Sequence, residues 1–183
     1  MSEQTIGEAR DHYFRESGLP EKGGYEDKWI PLKFGWFTFF IYNSDSRKRA
    51  VKLHDIHHIV TGYKSDPRGE AEISAWELAA GIYDKHFARL INLGGLFYGA
   101  FVYPKTTFKA YVLGKHSSTL YDREFSSSLL QQDVDSLRKS LLPSAEPAVK
   151  AAHYIEYASL VALIGLPGLL LGVSLIGLVA RVL

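Results

Sequence analysis

The chain has 183 residues, 46% of them hydrophobic, a formal net charge of +1 and no cysteine. That is enough apolar material for one domain with a real core, which argues against wholesale disorder, and the balanced charge offers no global field for nucleic acid. Without thiols, disulfide frameworks, thiolate zinc sites and cysteine nucleophiles are excluded, so any metal has to be held by nitrogen and oxygen.

Residues 1–28 are polar and mixed in charge, unlike a secretory signal or a transit peptide, and read as a loose or partly helical lead-in. Next comes "WIPLKFGWFTFFIYN", Trp29 to Asn43, dense in aromatic rings. Its proline, its glycine and the alternation in "WFTFFIY" predict a short hairpin or extended segment rather than a helix. Such a run serves core packing, a lipid interface or the wall of an apolar pocket.

"SDSRKRAVKLHDIHHIVTG" predicts a helix capped by Ser44, Asp45 or Ser46 and stopped by Gly62. After a short connection, Asp66 caps a second helix with Pro67 at its first position. Ile73, Trp76, Ala80 and Tyr83 recur at helical spacing, and the expected end is near Gly94-Gly95. "LFYGAFVYP" is a further apolar patch stopping at Pro104, and the stretch after it, 108–125, reads as irregular or partly helical. "SSSLLQQDVDSLRKSLL" predicts one amphipathic helix with Leu129, Val134, Leu137 and Leu141 on one side.

Residues 158–180 contain no charge over 23 positions. As a helix they would reach about 35 Å, enough for a hydrocarbon core; the alternative is a buried hairpin split at Pro167-Gly168. The expectation is therefore a mainly α protein, a helical bundle with a short aromatic extended or hairpin segment near the N-terminus and a C-terminal hydrophobic helix. Its divisions are an N-terminal segment 1–46, a helical domain 47–143, a linker 144–157 and a membrane helix 158–180 that anchors a cytoplasmic-side domain.

The chain has seven histidines, and "HDIHH" at 54–58 holds three of them. On a helix His54 and His58 lie one turn apart in height and about 40° apart in azimuth, with Asp55 about 100° from His54. His57 falls on the other flank, the weakest candidate of the group. A short turn returns the next helix antiparallel, and because His58 precedes Gly62 by four residues and Glu70 follows Asp66 by four, Glu70 comes level with His58. Two imidazoles and two carboxylates suit a divalent transition metal, zinc first, with iron or manganese as alternatives. The predicted donors are His54, Asp55, His58 and Glu70. Asp55 can instead orient a histidine, Glu77 can take that outer part or line the pocket, and Glu72 is expected to be solvated. Trp76, Tyr83, Phe97 and Tyr98 are candidates for an apolar pocket wall or for core. The bland alternative is a solvated histidine-rich face. The H-x-x-H-H box of membrane di-iron enzymes and the HD doublet of phosphohydrolases both need further histidines, and His12, His86, His116 and His153 are isolated.

His54-Asp55-x-x-His58, eleven residues, then Glu70 is similar to the signature of the coenzyme Q biosynthesis protein 4 family. The resemblance extends through "VKLHDIHHIVTGYKSDPRGEAEISAWE" and, more faintly, "TLYDREFSSSLLQQDVDSLRKSLL", covering about residues 47 to 143. It implies a mostly helical protein that binds zinc or a similar ion through His54, Asp55, His58 and Glu70, attaches to a membrane and contacts long isoprenoid lipids. It also implies a place in ubiquinone synthesis, as organiser of a biosynthetic complex or as an enzyme oxidatively decarboxylating a quinone head-group precursor. The chain departs from the family in its short N-terminal segment and its added hydrophobic tail. Expected partners are membrane lipids, an isoprenoid or quinone intermediate, and proteins of a biosynthetic complex or a second copy, with no nucleic acid. Three functional readings follow: a metal-dependent lyase, a metal-stabilised scaffold or lipid-presenting subunit, and a lipid or phosphate hydrolase with Glu70 or Glu77 as general base. An open coordination position marks the enzyme, and a closed set of four protein donors the scaffold.

Overall fold

The computed structural model describes residues 4–18, 24–34, 37–82 and 86–182. Among them, eight helices and one two-stranded antiparallel ribbon make up a mainly helical fold. The polar lead-in carries a helix, α1 (Ile6–Glu16). Its start is a capping box: Thr5 Oγ1 accepts the Glu8 N–H at 3.3 Å while the Glu8 carboxylate accepts the Thr5 N–H at 2.9 Å. Ile6, Ala9 and Phe14 are its buried face.

The aromatic run forms the ribbon, β1 (Trp29–Phe34) against β2 (Phe37–Tyr42), with Trp29 opposite Tyr42. Trp29, Phe40 and Tyr42 are each more than half exposed, so these rings are not core packing. The root of the ribbon is tied by Asn43, whose side-chain amide donates to the carbonyls of Tyr25 (3.1 Å) and Asp27 (2.7 Å).

α2 (Asp45–Thr61) begins at Ser44, whose hydroxyl accepts the Arg47 N–H, and ends at Gly62 with φ 76°, a left-handed cap that suits glycine. α3 (Pro67–Ala80) begins at Asp66, which accepts the Gly69 N–H at 2.8 Å. The expected long helix from 67 to 94 is two: α3 stops at Gly81 (φ 107°) and α4 (His86–Val102) follows. Tertiary donors make the break affordable, with Thr119 Oγ1 donating to the Gly81 carbonyl at 2.9 Å and Arg89 Nε to that of Ile82 at 3.0 Å. Gly95 does not end the helix; it lets α4 press on α3, where an added Cβ would lie 2.2 Å from Ser74 Oγ. The patch before Pro104 is the C-terminal half of α4, and Pro104 opens α5 (Pro104–Gly114).

The expected amphipathic helix is also divided, into α6 (Ser127–Leu130) and α7 (Val134–Leu141), because Asp133 caps a new start through the Ser136 N–H at 2.8 Å. Leu129, Val134, Leu137 and Leu141 are nevertheless all buried. The N-terminus ties back here: the Ile6 N–H donates to Gln132 O at 2.9 Å and the Val134 N–H to Gln4 O at 3.0 Å.

α8 (Ala151–Val182) packs its first turns, through Tyr157, Leu160 and Val161, on the core of α3 to α5. The expected membrane segment 158–180 falls on α8, but its side chains from 167 onward lie outside the described residues. Among the described residues no helix is long and apolar enough to cross a membrane. Two apolar clusters result. One joins α1, α2 and α7 through Ile6, Leu53, Ile56, Val60 and Leu137; the other joins α3, α4 and α5 through Ile73, Trp76, Leu96 and Tyr111. α2 belongs to the first and α3 to the second, so the seam between the clusters runs between these two helices.

Candidate metal site

The α2–α3 seam holds the histidine cluster. Helical spacing sets His54 and His58 on one face of α2, and the left-handed turn at Gly62 sends the chain back into α3. The connection is tight: an added Cβ on Gly69 would lie 1.9 Å from the Lys64 carbonyl oxygen, so only glycine lets the first turn of α3 seat against it. Glu70 follows directly.

Donor atoms of His54, His58 and Glu70 all lie within 4.8 Å of one another, a group that can hold a metal ion. The two Nε2 atoms are 3.1 Å apart, and the Glu70 carboxylate oxygens stand 3.5 Å from that of His58 and 3.7 Å from that of His54. Outer bonds decide which way the rings point their lone pairs. His58 Nδ1 is 2.9 Å from the Tyr63 carbonyl, which can only accept, so Nδ1 carries the hydrogen and Nε2 faces the cluster bare. His54 Nδ1 lies 2.9 Å from Glu77 Oε1, and the same logic leaves its Nε2 facing inward. A positive charge suits this gathering, either as a proton on His54 Nε2 donated to the bare His58 Nε2 or as a metal ion held by both rings and Glu70.

The electrostatics agree. Burial, reinforced by the charge of His54, pushes His58 down to about 4, so it is neutral near pH 7, the form that ligates. Its ring stacks on Tyr13 with centroids 5.5 Å apart. Burial works against protonating His54, but the Glu77 and Glu70 carboxylates outweigh it and hold that ring well above its ordinary value. His54 is thus where positive charge is most strongly favoured, by a proton or by an ion.

Asp55 does not join the cluster. It is buried, and its carboxylate accepts a hydrogen bond from the Tyr25 hydroxyl, in the loop before the ribbon. The turn of about 100° from His54 carries it to that side. Burial raises its acid to about 6, opposed by the His54 charge and the Tyr25 bond. The four-donor expectation thus becomes three gathered donors. His57 is consumed in the core: its Nε2 accepts the Leu120 N–H at 2.8 Å and its Nδ1 donates to Glu77 at 2.6 Å, between the rings of Trp76 and Tyr121. Glu77 takes the outer position beside His54. Glu72, expected in solvent, is 9% exposed and pairs with Arg68 at 2.9 Å.

Of the pocket-wall candidates, Trp76 is core and reaches the site only through His57. Phe97 packs on Phe101 and beside Gly165, and the half-exposed Tyr98 pairs with Tyr103. Tyr83 lies outside the described residues. A cleft of about 690 Å³ instead meets the site at His58, lined in part by Tyr13, Tyr63, Lys64, Ser65 and Asp66. Tyr25 and Asn92 escaped sequence reasoning. The one signal for Asn92 is a lone amide in the apolar run "LINLGGLF"; Tyr25 has none. No protein family, curated protein or solved structure matches the chain.

Proposed function

We propose that this protein is a metalloenzyme of ubiquinone or related isoprenoid-lipid metabolism, with His54, His58 and Glu70 as the donors of a divalent transition metal. The observation that carries the metal is the pair of inward-facing Nε2 atoms 3.1 Å apart beside a carboxylate. Two imidazoles and one carboxylate suit zinc, with iron or manganese as alternatives, and three protein donors leave a position for water or substrate. That open position favours an enzyme over a closed structural site. When bound, the ion would polarise an oxygen of the substrate and stabilise negative charge developing there. Glu70 is the half-exposed donor, so the site is open to solvent on its side. The quinone head-group substrate, its oxidative decarboxylation and the attachment to membrane lipids are supported by the resemblance of the His54-Asp55-x-x-His58-x11-Glu70 spacing and by the uncharged run 158–180. The hydrolase reading loses Glu77 as general base, because donors already occupy both its oxygens.

A second reading, a structural ion, is favoured by one observation: α2 and α3 share few contacts, whereas α3 packs extensively on α4 and α5. An ion there would clamp the two core clusters together. Elemental analysis of the purified chain tests the metal, with one ion per chain expected and loss of it in Glu70→Ala. Absence of a stoichiometric ion in the unsubstituted chain overturns both readings. Chelation separates them: a structural ion lowers the melting temperature sharply on removal, while a catalytic one chiefly abolishes turnover.

A further inference from the structure

Glu77 lies on α3, seven residues beyond Glu70, and is wholly buried. Its Oε1 meets Nδ1 of His54 at 2.9 Å and Nδ1 of His57 at 2.6 Å, and its Oε2 accepts from the Asn92 side-chain amide. Bonds further out fix the hydrogens. The Leu120 N–H occupies His57 Nε2 at 2.8 Å, so Nδ1 of that ring must donate. Ser74 Oγ donates to Asn92 Oδ1 at 3.4 Å, which turns the amide nitrogen toward Glu77. Both Glu77 oxygens therefore face donors, and a carboxylic proton there would find no acceptor. None of these donors carries a fixed positive charge.

A buried carboxylate is costly unless a cation answers it, and His54 is the neighbour through which that charge can arrive, as a proton or as an ion. One ring away, on the far side of His54, lies the point where Nε2 faces His58 and Glu70. We propose that Glu77 is the positioning and charge-balancing residue of the metal site. It fixes His54 as the Nδ1–H tautomer, makes its Nε2 a more basic donor, and with Glu70 supplies two negative charges for one doubly charged ion. His57 and Asn92 in turn hold the carboxylate in place beside the His54 ring edge. This inference rests on the metal reading and assigns a role to a side chain that would never touch the ion.

The test is a spectroscopic titration of the full chain with Co²⁺, in the unsubstituted protein, Glu77→Gln and Asn92→Ala, with circular dichroism as the check on folding. Glu77→Gln is expected to bind Co²⁺ about 10- to 100-fold more weakly and to shift its visible bands, because the His54 donor changes. Asn92→Ala keeps the charge but frees one oxygen, and is expected to shift the bands with a smaller loss of affinity. A folded Glu77→Gln chain with unchanged affinity and bands overturns the inference and leaves the metal site standing. Should Glu77→Gln fail to fold, unchanged bands and affinity in Asn92→Ala overturn it instead. Failure of the unsubstituted chain to take up Co²⁺ overturns it together with the metal reading.

Discussion

His58 shows how one side chain couples stability to pH. Its ring is buried beside His54 and is pushed down from 6.5 to about 4, while in the unfolded chain it titrates near its ordinary value. Above 6.5 both states hold it neutral. As pH falls from there toward 4, the unfolded chain binds a proton that the folded chain refuses, so folded stability declines through that window. A shift of this size corresponds to about 3 kcal/mol at most. Denaturant unfolding of chelator-treated protein between pH 4 and 7 should therefore show a slope that flattens in His58→Gln. Equal slopes in the two chains would show that the ring is not held neutral by its surroundings.

At the scale of elements, the decisive feature is the turn between α2 and α3. Gly62 supplies the left-handed residue that ends α2, and Asp66 with Pro67 starts α3, so the reversal is complete within a few residues. Gly69 then sits against the Lys64 backbone, closer than any side chain allows. Gly69→Ala is expected to cost about 1–3 kcal/mol through overpacking and, by displacing the neighbouring Glu70, to weaken metal binding as well. Combined thermal melts and metal titration check this; a normal affinity would mean that α3 shifts without moving Glu70. The same logic explains the two helix breaks that periodicity missed. Apolar spacing continues across Gly81 and across 131–133, but the carbonyls and amides freed at those points find partners in Thr119, Arg89 and Asp133.

For the molecule as a whole, Trp76 is the residue on which the second core turns. It is fully buried, donates from Nε1 to Ser117 Oγ at 3.1 Å, and packs edge-on against His57, 5.2 Å between centroids. α5 approaches it so closely that a Cβ on Gly114 would lie 2.4 Å from the Trp76 carbonyl oxygen. Trp76→Ala is expected to destabilise the chain by about 3–5 kcal/mol and to loosen His57, and with it the support of the site. Urea unfolding measures the loss, and a change under about 1 kcal/mol would show that the two clusters do not depend on this ring.

Local rules were enough to read off the helices bounded by Ser44, Gly62 and Asp66, the aromatic hairpin, and the meeting of His54, His58 and Glu70, because each depends on caps, turn residues and a period of 3.6 along a short stretch of chain. Tertiary structure alone decided the rest. Asp55 sits about 100° round the helix from His54, and what it meets there is set by tertiary structure: the Tyr25 hydroxyl, thirty residues away in sequence, bonds its carboxylate. His57 became a core residue because the Leu120 N–H, sixty-three residues on, takes its second nitrogen. A carboxylate or an imidazole has the same sequence signature whether it meets a metal, a hydroxyl or an amide; which of these lies opposite depends on how distant segments pack, and no local period carries that information.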